Sequence, residues 1–399
     1  MDNLLSRLAI QAETKIVLVV MDGLGGFRSA ERGSELEEAT TTNLDRLAAE
    51  GGSGLLTIVA PGVTPGSGAG HLALFGYDPL VYELGRGALS AAGIEFDLKA
   101  GDVAARVNFC TLDPSGIIMD RRADRLSSEE NRRLCSRIKE GLSLETGVEL
   151  FLETERDHRA LLVLRGEGLS PAISDTDPQI LGLAPRDPRA LSAEAEPTVR
   201  LLGGILGQIR SILAGKQANF ILLRGFDTLR ELPSFAARYG LQAVGITVYP
   251  MYRGLARILG MEVAPPQTSF EHQVETLEAC WDTYDFFFLH HKPTDSAGED
   301  GNFGAKMAAI EQVDALVPRI ANRGPQVLCV TGDHATPSQL RSHSWHPVPF
   351  LLWGPAVGVD GVDRFHEEAA RAGAFGLQQG KNLMALMLGA GGRLARFGP

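Results

Sequence analysis

The chain has 399 residues, of which 44% are hydrophobic and 22% charged, and its formal net charge at pH 7 is -11. This length exceeds the limit of about 250–300 residues for one hydrophobic core and predicts two domains, while the composition excludes a disordered or fibrous protein. The acidic balance argues against a nucleic-acid partner, which would need clustered Lys and Arg.

The N-terminal residues 1–15 carry Asp2 and Glu13 and have no apolar core, so we expect no secretory signal and a cytoplasmic protein. The apolar runs are far shorter than the roughly 20 residues of a membrane span, so we expect no membrane segment. The four cysteines are widely spaced, which favours reduced, mostly buried residues. A homo-oligomer is compatible with the sequence.

The first part of the chain is predicted to alternate strands and helices. Residues 15–20 form a continuous run rich in β-branched residues, typical of a strand buried on both faces of a parallel sheet. Asp22 follows this run, at the sheet edge where open α/β folds bind their ligands. A helix at 42–50 and a strand at 55–59 complete a predicted βαβ opening.

A loop of small residues comes next, with the sequence Thr64-Pro65-Gly66-Ser67-Gly68-Ala69-Gly70-His71. We predict that it opens a helix running to about Phe75. The small neighbours leave the Ser67 hydroxyl accessible, and a helix N-terminus favours anionic charge, which suits a serine that accepts phosphate. The alternative is a tight turn without function.

Residues 82–235 are predicted to form an inserted α/β domain. Its predicted strands and helices are 103–109, 117–121, 128–140 (helix), 160–165, 198–213 (helix) and 220–224, with a long loop at 168–197.

The remaining residues, 1–81 and 236–399, are predicted to form the main domain. Its later strands are expected at 243–249, 286–290, 326–331 and 349–353, with helices at 251–260, 270–282 and 303–321. The predicted fold is therefore an α/β core with a mostly parallel sheet sandwiched by helices and interrupted by the smaller insert.

Residues with oxygen or imidazole side chains gather at one predicted edge of the main sheet: Asp22, Ser67, Asp295, Glu299, Asp333, His334 and His343. Each alone has an ordinary explanation, such as a helix cap, an exposed pair of acids at i and i+4, or a surface residue. Together they are too many for one small cation, but they divide between two ions, an arrangement suited to in-line displacement at phosphorus. Mixed carboxylate and imidazole ligands favour Mn or Zn over Ca, and Mg requires more oxygen.

Five motifs in order carry a resemblance to a known family: Val20-Met21-Asp22-Gly23; Thr64-Pro65-Gly66-Ser67 with His71-Leu72-Ala73-Leu74-Phe75-Gly76-Tyr77-Asp78-Pro79; Thr294-Asp295-Ser296-Ala297-Gly298-Glu299-Asp300-Gly301; Thr331-Gly332-Asp333-His334; and His343-Ser344-Trp345-His346-Pro347-Val348-Pro349. The chain resembles the archaeal-type cofactor-independent phosphoglycerate mutases of the alkaline phosphatase superfamily. The resemblance covers nearly the whole sequence. It implies interconversion of 3-phosphoglycerate and 2-phosphoglycerate without 2,3-bisphosphoglycerate.

The resemblance also implies roles for individual residues. Ser67 would be the nucleophile that carries phosphate as a phosphoserine. One metal ion would be held by Asp22, Ser67, Asp333 and His334, and the other by Asp295, Glu299 and His343. The domain at 82–235 would be transferase-like and clasp the glycerate.

One position departs from the family pattern, since many relatives have Asp-x-x-x-His where this chain has Asp295 and Glu299. A carboxylate can replace imidazole as a ligand and shifts the preference toward Mg or Mn, so the metal's identity is open. His346 is an alternative ligand to His343. We favour His343, because His346 immediately precedes the entrance of the strand at 349–353.

Arginines and a histidine are the candidate groups for substrate. Arg121, Arg224 and Arg253 lie at predicted element ends, and guanidinium groups match both the carboxylate and the phosphate of phosphoglycerate; solvated surface arginines are the alternative. His71 follows Ser67 by one helical turn. It is a candidate either for proton transfer between the glycerate hydroxyls or for orienting a neighbouring group.

Other functions remain open. A phosphatase or phosphonate hydrolase of the same superfamily would pass the phosphoryl group to water. We favour the mutase, because a long insert with several arginines suits retention of the dephosphorylated glycerate. A non-catalytic regulatory relative is the further alternative, in which Glu299 would mark decay of one metal site.

Overall fold

The computed structural model describes residues 2–144 and 146–398. The chain forms two compact units, one of Met1–Glu83 with Leu232–Pro399 and one of Leu84–Glu231. The first unit contains an eight-stranded sheet and the second a five-stranded sheet. Within the described ranges, no helix combines the length and apolarity that crossing a membrane requires.

The strands are numbered in chain order: β1 Ile16–Met21, β2 Gly52–Thr57, β3 Val103–Leu112, β4 Ile118–Asp120, β5 Val148–Arg156, β6 Arg159–Gly166, β7 Phe220–Asp227, β8 Ala243–Ile246, β9 Glu262–Val263, β10 Phe286–His291, β11 Val327–Thr331, β12 Val348–Trp353 and β13 Gly376–Gln379.

The α-helices are likewise numbered: α1 Asp2–Leu8, α2 Glu35–Glu38, α3 Thr42–Ala49, α4 Ser67–Leu74, α5 Arg86–Gly93, α6 Ser128–Gly141, α7 Glu196–Ile212, α8 Phe235–Tyr239, α9 Pro250–Ile258, α10 Phe270–Ala279, α11 Pro293–Glu299, α12 Phe303–Ala321, α13 Glu367–Ala370 and α14 Leu383–Ala390.

The sheet of the first unit has the order β13-β2-β12-β11-β1-β10-β8-β9 and is parallel except at β12, which runs antiparallel to β11 and β2. All residues of β1, β10 and β11 are buried, as expected for strands covered on both faces. The predicted α/β fold with a mostly parallel sheet is therefore confirmed. The two strands of the predicted βαβ opening, β1 and β2, are not neighbours in the sheet, because β11 and β12 lie between them.

The register of the central strands places their carboxyl ends side by side. On one side of β1, Met21 pairs with His291, and on the other, Val20 pairs with Thr331. Residues that directly follow these three strands therefore meet at one edge of the sheet. This edge holds Asp22 after β1 and Asp333 after β11.

The second unit is built on an antiparallel sheet in which β3 pairs with β4, β6 and β7, and β6 pairs with β5. Helices α6 and α7 cover an apolar core that includes Leu134, Ile138 and Ile205. The sequence prediction missed β5 and α5. A partial signal for β5 was present, because Val148, Leu150 and Leu152 recur with the period of a strand, with Glu149 and Glu153 at alternate positions.

Candidate functional site

The serine loop forms the start of helix α4, as predicted. Gly66 is the N-cap in extended conformation, Ser67 is the first helical residue, and its side chain is almost fully buried. Gly70 allows the helix to approach the sheet edge, since a Cβ there would lie 2.3 Å from the carbonyl oxygen of Asp333. The loop's small residues therefore bring the serine against the end of β11.

The structure brings six of the seven predicted ligand residues together around His334. Its Nε2 atom lies 3.2 Å from Ser67 Oγ, 3.2 Å from Asp22 Oδ1 and 3.4 Å from Asp333 Oδ2. Two sets of donor atoms are close enough to hold a metal ion: Asp22, Asp333 and His334; and Asp295, His334 and His343. His334 belongs to both sets, whereas the family pattern assigned it to one.

Two carboxylate oxygens in the first set fit a cation. Among the described residues, Asp22 Oδ1 and Asp333 Oδ2 are buried, and neither has a hydrogen bond of good geometry, although Nδ1 of His71 lies 3.1 Å from Asp333 Oδ2. Buried acceptors without a donor are costly, and a divalent cation would satisfy both together with the imidazole of His334. The residues present therefore fit a metal ion of the Mn, Mg or Zn type.

The other carboxylate oxygen of Asp22 already accepts hydrogen bonds from neighbouring side chains. Asp22 Oδ2 accepts hydrogen bonds from Tyr252 Oη, from His290 Nε2 at 2.9 Å and from Lys292 Nζ at 3.2 Å. These donors fix the carboxylate, so that Oδ1 points toward His334. Although burial favours the neutral acid, Lys292 and His290 hold the pKa of Asp22 well below its ordinary value.

Lys292 also links the two sets, because its ammonium lies 2.6 Å from Asp295 Oδ2. Burial lowers the pKa of Lys292, but Asp22 and Asp295 outweigh this and raise it well above its ordinary value. The same ammonium lowers the pKa of Asp295 against the opposing effect of burial. The carboxylates of Asp22 and Asp295 are therefore ionised and lie beside the charged ammonium of Lys292 in the interior of the site.

His334 is an imidazole of this group whose pKa is raised. Burial disfavours its charged form, but Asp333 and Asp22 raise its pKa to about 9. Its ring stacks on His343, with the ring centres 3.7 Å apart. A protonated His334 therefore balances the carboxylates together with Lys292.

His343 rather than His346 lies in the site. His343 Nε2 is 3.5 Å from Asp295 Oδ1, and its Nδ1 lies 3.0 Å from the carbonyl oxygen of Pro65. His346 instead stacks between Phe27 and Trp345. These contacts agree with the preference for His343.

Glu299, the position that departs from the family pattern, is half-buried at the end of α11. It belongs to neither of the two sets of close donor atoms found among the described residues. Its role as a ligand therefore stays a prediction.

His71 is fully buried on α4, next to Ser67 and Asp333. Its Nδ1 lies 2.8 Å from the carbonyl oxygen of Ser67 and 3.1 Å from Asp333 Oδ2. The ring packs against Tyr252 and His290. This geometry favours orientation of Asp333 over proton transfer, the second of the two roles considered from the sequence.

Comparison with known proteins gives this site a family. A sequence model described as 2,3-bisphosphoglycerate-independent phosphoglycerate mutase matches residues 48–219. A Thermus thermophilus protein, named as a probable 2,3-bisphosphoglycerate-independent phosphoglycerate mutase, is 48% identical over 99% of this chain and 98% of its own. The chain belongs to this family. A relative from Aquifex aeolicus with the same name is 41% identical over 99% of this chain and 100% of its own.

Solved structures of similar proteins agree with this membership. A Pyrococcus horikoshii protein is 27% identical with a TM-score of 0.82, covering 98% of this chain and 100% of its own. A cofactor-independent phosphoglycerate mutase from Thermoplasma acidophilum is also 27% identical, with a TM-score of 0.63 and coverage of 95% and 99%. The recognition made from the five motifs is therefore confirmed, and the chain is an isomerase of the phosphoglycerate mutase family.

The second unit of this family member contains a concentration of arginines: Arg86, Arg106, Arg121, Arg122, Arg125, Arg159 and Arg224. Arg106 on β3 pairs in register with Arg224 on β7. Among the described residues, the Nε atoms of both have no hydrogen-bond partner although they are buried. Burial and the neighbouring Arg86 lower the pKa of Arg106 well below its ordinary value and that of Arg224 to about 10. Such a cluster favours binding of an anion.

All three predicted substrate arginines have partners within their own units, and Arg224 donates from Nη2 to Gln179 Oε1 at 2.7 Å. Arg121 forms a bidentate ion pair with the buried Asp177, with N–O distances of 3.0 and 2.6 Å. Arg253 is buried on α9, where Nη1 donates to the carbonyl oxygen of Ala264 at 2.7 Å. These contacts give both residues structural roles, so their assignment to substrate stays a prediction.

Four residues of the first unit's site were missed in the sequence: Tyr252, His290, Lys292 and Thr336. His290 and Lys292 carried a signal, because His290 lies near the end of an apolar strand and Lys292 directly follows it, at the edge where Asp22 lies. Tyr252 lies within a helix and carried none.

Proposed function

We propose that this chain interconverts 3-phosphoglycerate and 2-phosphoglycerate through a phosphoserine at Ser67, at a site that holds two divalent metal ions. The observation that carries the proposal is the 3.2 Å distance between Ser67 Oγ and Nε2 of His334, the residue common to both sets of metal-ligating atoms. Family membership supplies the substrate class, since the relatives are named as phosphoglycerate mutases.

The side chains of the first unit would carry the transfer. Ser67 Oγ attacks the phosphorus of 3-phosphoglycerate, the bond to the substrate's O3 breaks, and the proton lost by Ser67 balances the one gained by O3. The 2-hydroxyl of the retained glycerate then attacks the phosphoserine and restores the serine hydroxyl. Two bound divalent ions would supply neutralisation of the phosphoryl oxygens.

The residues around the serine would prepare these steps. The N-terminus of α4 places backbone N–H groups and the positive end of the helix dipole at Ser67. Lys292 adds a largely buried ammonium that is held charged by Asp22 and Asp295. Ser67 is 4% exposed, which keeps most water away from the phosphoserine.

The second unit, Leu84–Glu231, is proposed to be the substrate-clasping domain predicted from the sequence. The buried Arg106 and the half-buried Arg224 offer N–H groups that match a carboxylate or phosphate. Retention of the glycerate between the two transfers is what separates a mutase from a phosphatase, and an anion-binding cluster serves this purpose.

The test is an assay of the purified protein with 3-phosphoglycerate, with Mn²⁺ and with a chelator. We expect 2-phosphoglycerate in the presence of Mn²⁺, little product after chelation, and, after acid quenching, a peptide containing Ser67 that carries one phosphoryl group. Release of free phosphate without 2-phosphoglycerate would favour a phosphatase. Full activity after complete removal of metal would reject the two-metal site.

A further inference from the structure

Thr336 is fully buried beside both sets of candidate metal ligands. Its Oγ1 atom lies 2.7 Å from Asp295 Oδ1 and 3.0 Å from Nδ1 of His334. One hydroxyl group therefore joins a carboxylate of the second set to the imidazole that belongs to both. Thr336 is not itself a ligand of either set.

The chemistry of these groups fixes the direction of both hydrogen bonds. The ionised carboxylate of Asp295 can only accept, so the single hydroxyl proton of Thr336 is donated to it. Thr336 Oγ1 is then left to accept, and Nδ1 of His334 must be the protonated nitrogen. The lone pair of a neutral His334 consequently lies on Nε2, which faces Asp22 and Asp333.

The backbone of Thr336 is held on both sides. Its N–H is shared between the carbonyl oxygens of Gly23 and Gly25, at 3.2 and 3.1 Å. Its carbonyl oxygen accepts a hydrogen bond of 2.8 Å from Nζ of the fully buried Lys306. The same ammonium donates to the carbonyl oxygen of Gly25 at 3.2 Å. Helix α12, which carries Lys306, therefore holds both the loop after β1 and the loop after β11.

Packing leaves the Thr336 side chain little freedom. A Cβ at Gly23 would lie 2.6 Å from Thr336 Oγ1, and a Cβ at Gly298 would lie 2.2 Å from the Thr336 carbonyl oxygen. Both neighbours must therefore be glycine for the threonine to lie here.

We propose that Thr336 is a positioning residue that sets the tautomer of His334 and the orientation of Asp295, and so couples the two metal positions. This inference rests on the proposed two-metal function. Groups that orient metal ligands in this way commonly contribute about 10–100-fold to metal affinity. Removal of the hydroxyl alone should thus weaken metal binding although every ligand remains.

The test compares Mn²⁺ binding by calorimetric titration of the wild type, Thr336→Val and Thr336→Ser. We expect the valine variant to bind Mn²⁺ about 10–100-fold more weakly and the serine variant to bind within about 3-fold of the wild type. The matched control is Thr41→Val, which removes another buried threonine hydroxyl, 3.2 Å from Asp45. Wild-type affinity and stoichiometry in a folded Thr336→Val protein would overturn the inference.

Two further results show whether a negative outcome concerns the two-metal function or only the role of Thr336. If the wild type binds no Mn²⁺, the proposed two-metal function fails. If the wild type binds Mn²⁺ and the valine variant binds it equally well, only the role of Thr336 fails. Should the valine variant not fold, nitrogen-15 NMR of the Zn²⁺-loaded wild type decides: we expect the proton of His334 on Nδ1, and a proton on Nε2 would contradict the inference.

Discussion

Ser67 Oγ lies 3.2 Å from Nε2 of His334, although 267 residues separate the two in the chain. The contact exists because helix α4 begins at Ser67 and packs against the end of β11 through Gly70. The nucleophile and the shared metal ligand are thus positioned by one helix and one strand. This arrangement makes the role of the serine directly testable.

Replacement of Ser67 by alanine should abolish phosphoenzyme formation and lower turnover by at least about 10³-fold, because no other hydroxyl replaces a nucleophile of this kind. The measurements are the isomerase assay and mass analysis of the acid-quenched protein. Ser344→Ala is the control, since Ser344 is equally buried but bonds His346. Substantial mutase activity in pure Ser67→Ala protein would refute the assignment.

Replacement of His71 distinguishes its two possible roles. If the ring orients Asp333 and the α4 backbone, His71→Asn should keep part of the activity, since an asparagine N–H can still donate to the Ser67 carbonyl oxygen. His71→Ala should lose more, and neither should change the shape of the pH profile of kcat. Equal losses of about 10²–10⁴-fold with one limb of the profile removed would instead show proton transfer.

His158, between β5 and β6, should make stability depend on pH. Burial and the neighbouring Arg159 lower its pKa from 6.5 to about 3. Below about pH 6.5 the unfolded chain therefore binds a proton at His158, whereas the folded chain does not. The contribution of His158 to the free energy of unfolding is thus present above pH 6.5 and is lost as the pH falls toward 3. From pH 7.5 to 5.5 this costs about 1.4 kcal/mol.

The measurement for His158 is the free energy of unfolding by urea at both pH values. His158→Gln should show a loss between pH 7.5 and 5.5 that is smaller than the wild-type loss by about 1.4 kcal/mol. His272→Gln, a half-buried histidine on α10, is the control. An unchanged pH dependence in His158→Gln would show that the folded protein accepts the proton.

The sequence was sufficient for the central strands of the main sheet and for the edge at which they end. The continuous apolar runs of β1, β10 and β11 predicted buried parallel strands, and their register then brings Asp22 and Asp333 together. These predictions succeeded because a residue that follows a parallel strand has only one edge to occupy.

The remaining parts depend on packing between distant segments, which local patterns do not contain. Tyr252 reaches Asp22 from α9, and Thr336 joins Asp295 to His334. Neither contact has a spacing that identifies it in the sequence. The order of strands was also hidden, since the insertion of β11 and β12 between β1 and β2 requires the later half of the chain.

Glu299 offers the sharpest test of how this chain differs from the family pattern. A carboxylate at this position would add a hard oxygen ligand to the second metal position and favour Mg or Mn, whereas an imidazole would favour Zn. Glu299→His should therefore raise the affinity for Zn²⁺ relative to Mg²⁺ by about 10-fold or more, measured by titration of the metal-free protein with each ion.

The control for Glu299 is Glu271→His, at an exposed position on α10. It introduces an imidazole without changing the site, so its ratio of Zn²⁺ to Mg²⁺ affinity should equal that of the wild type. If Glu299→His also leaves this ratio unchanged, Glu299 does not ligate metal. The second position would then be formed by Asp295, His334 and His343 alone, the set whose donor atoms the fold already brings together.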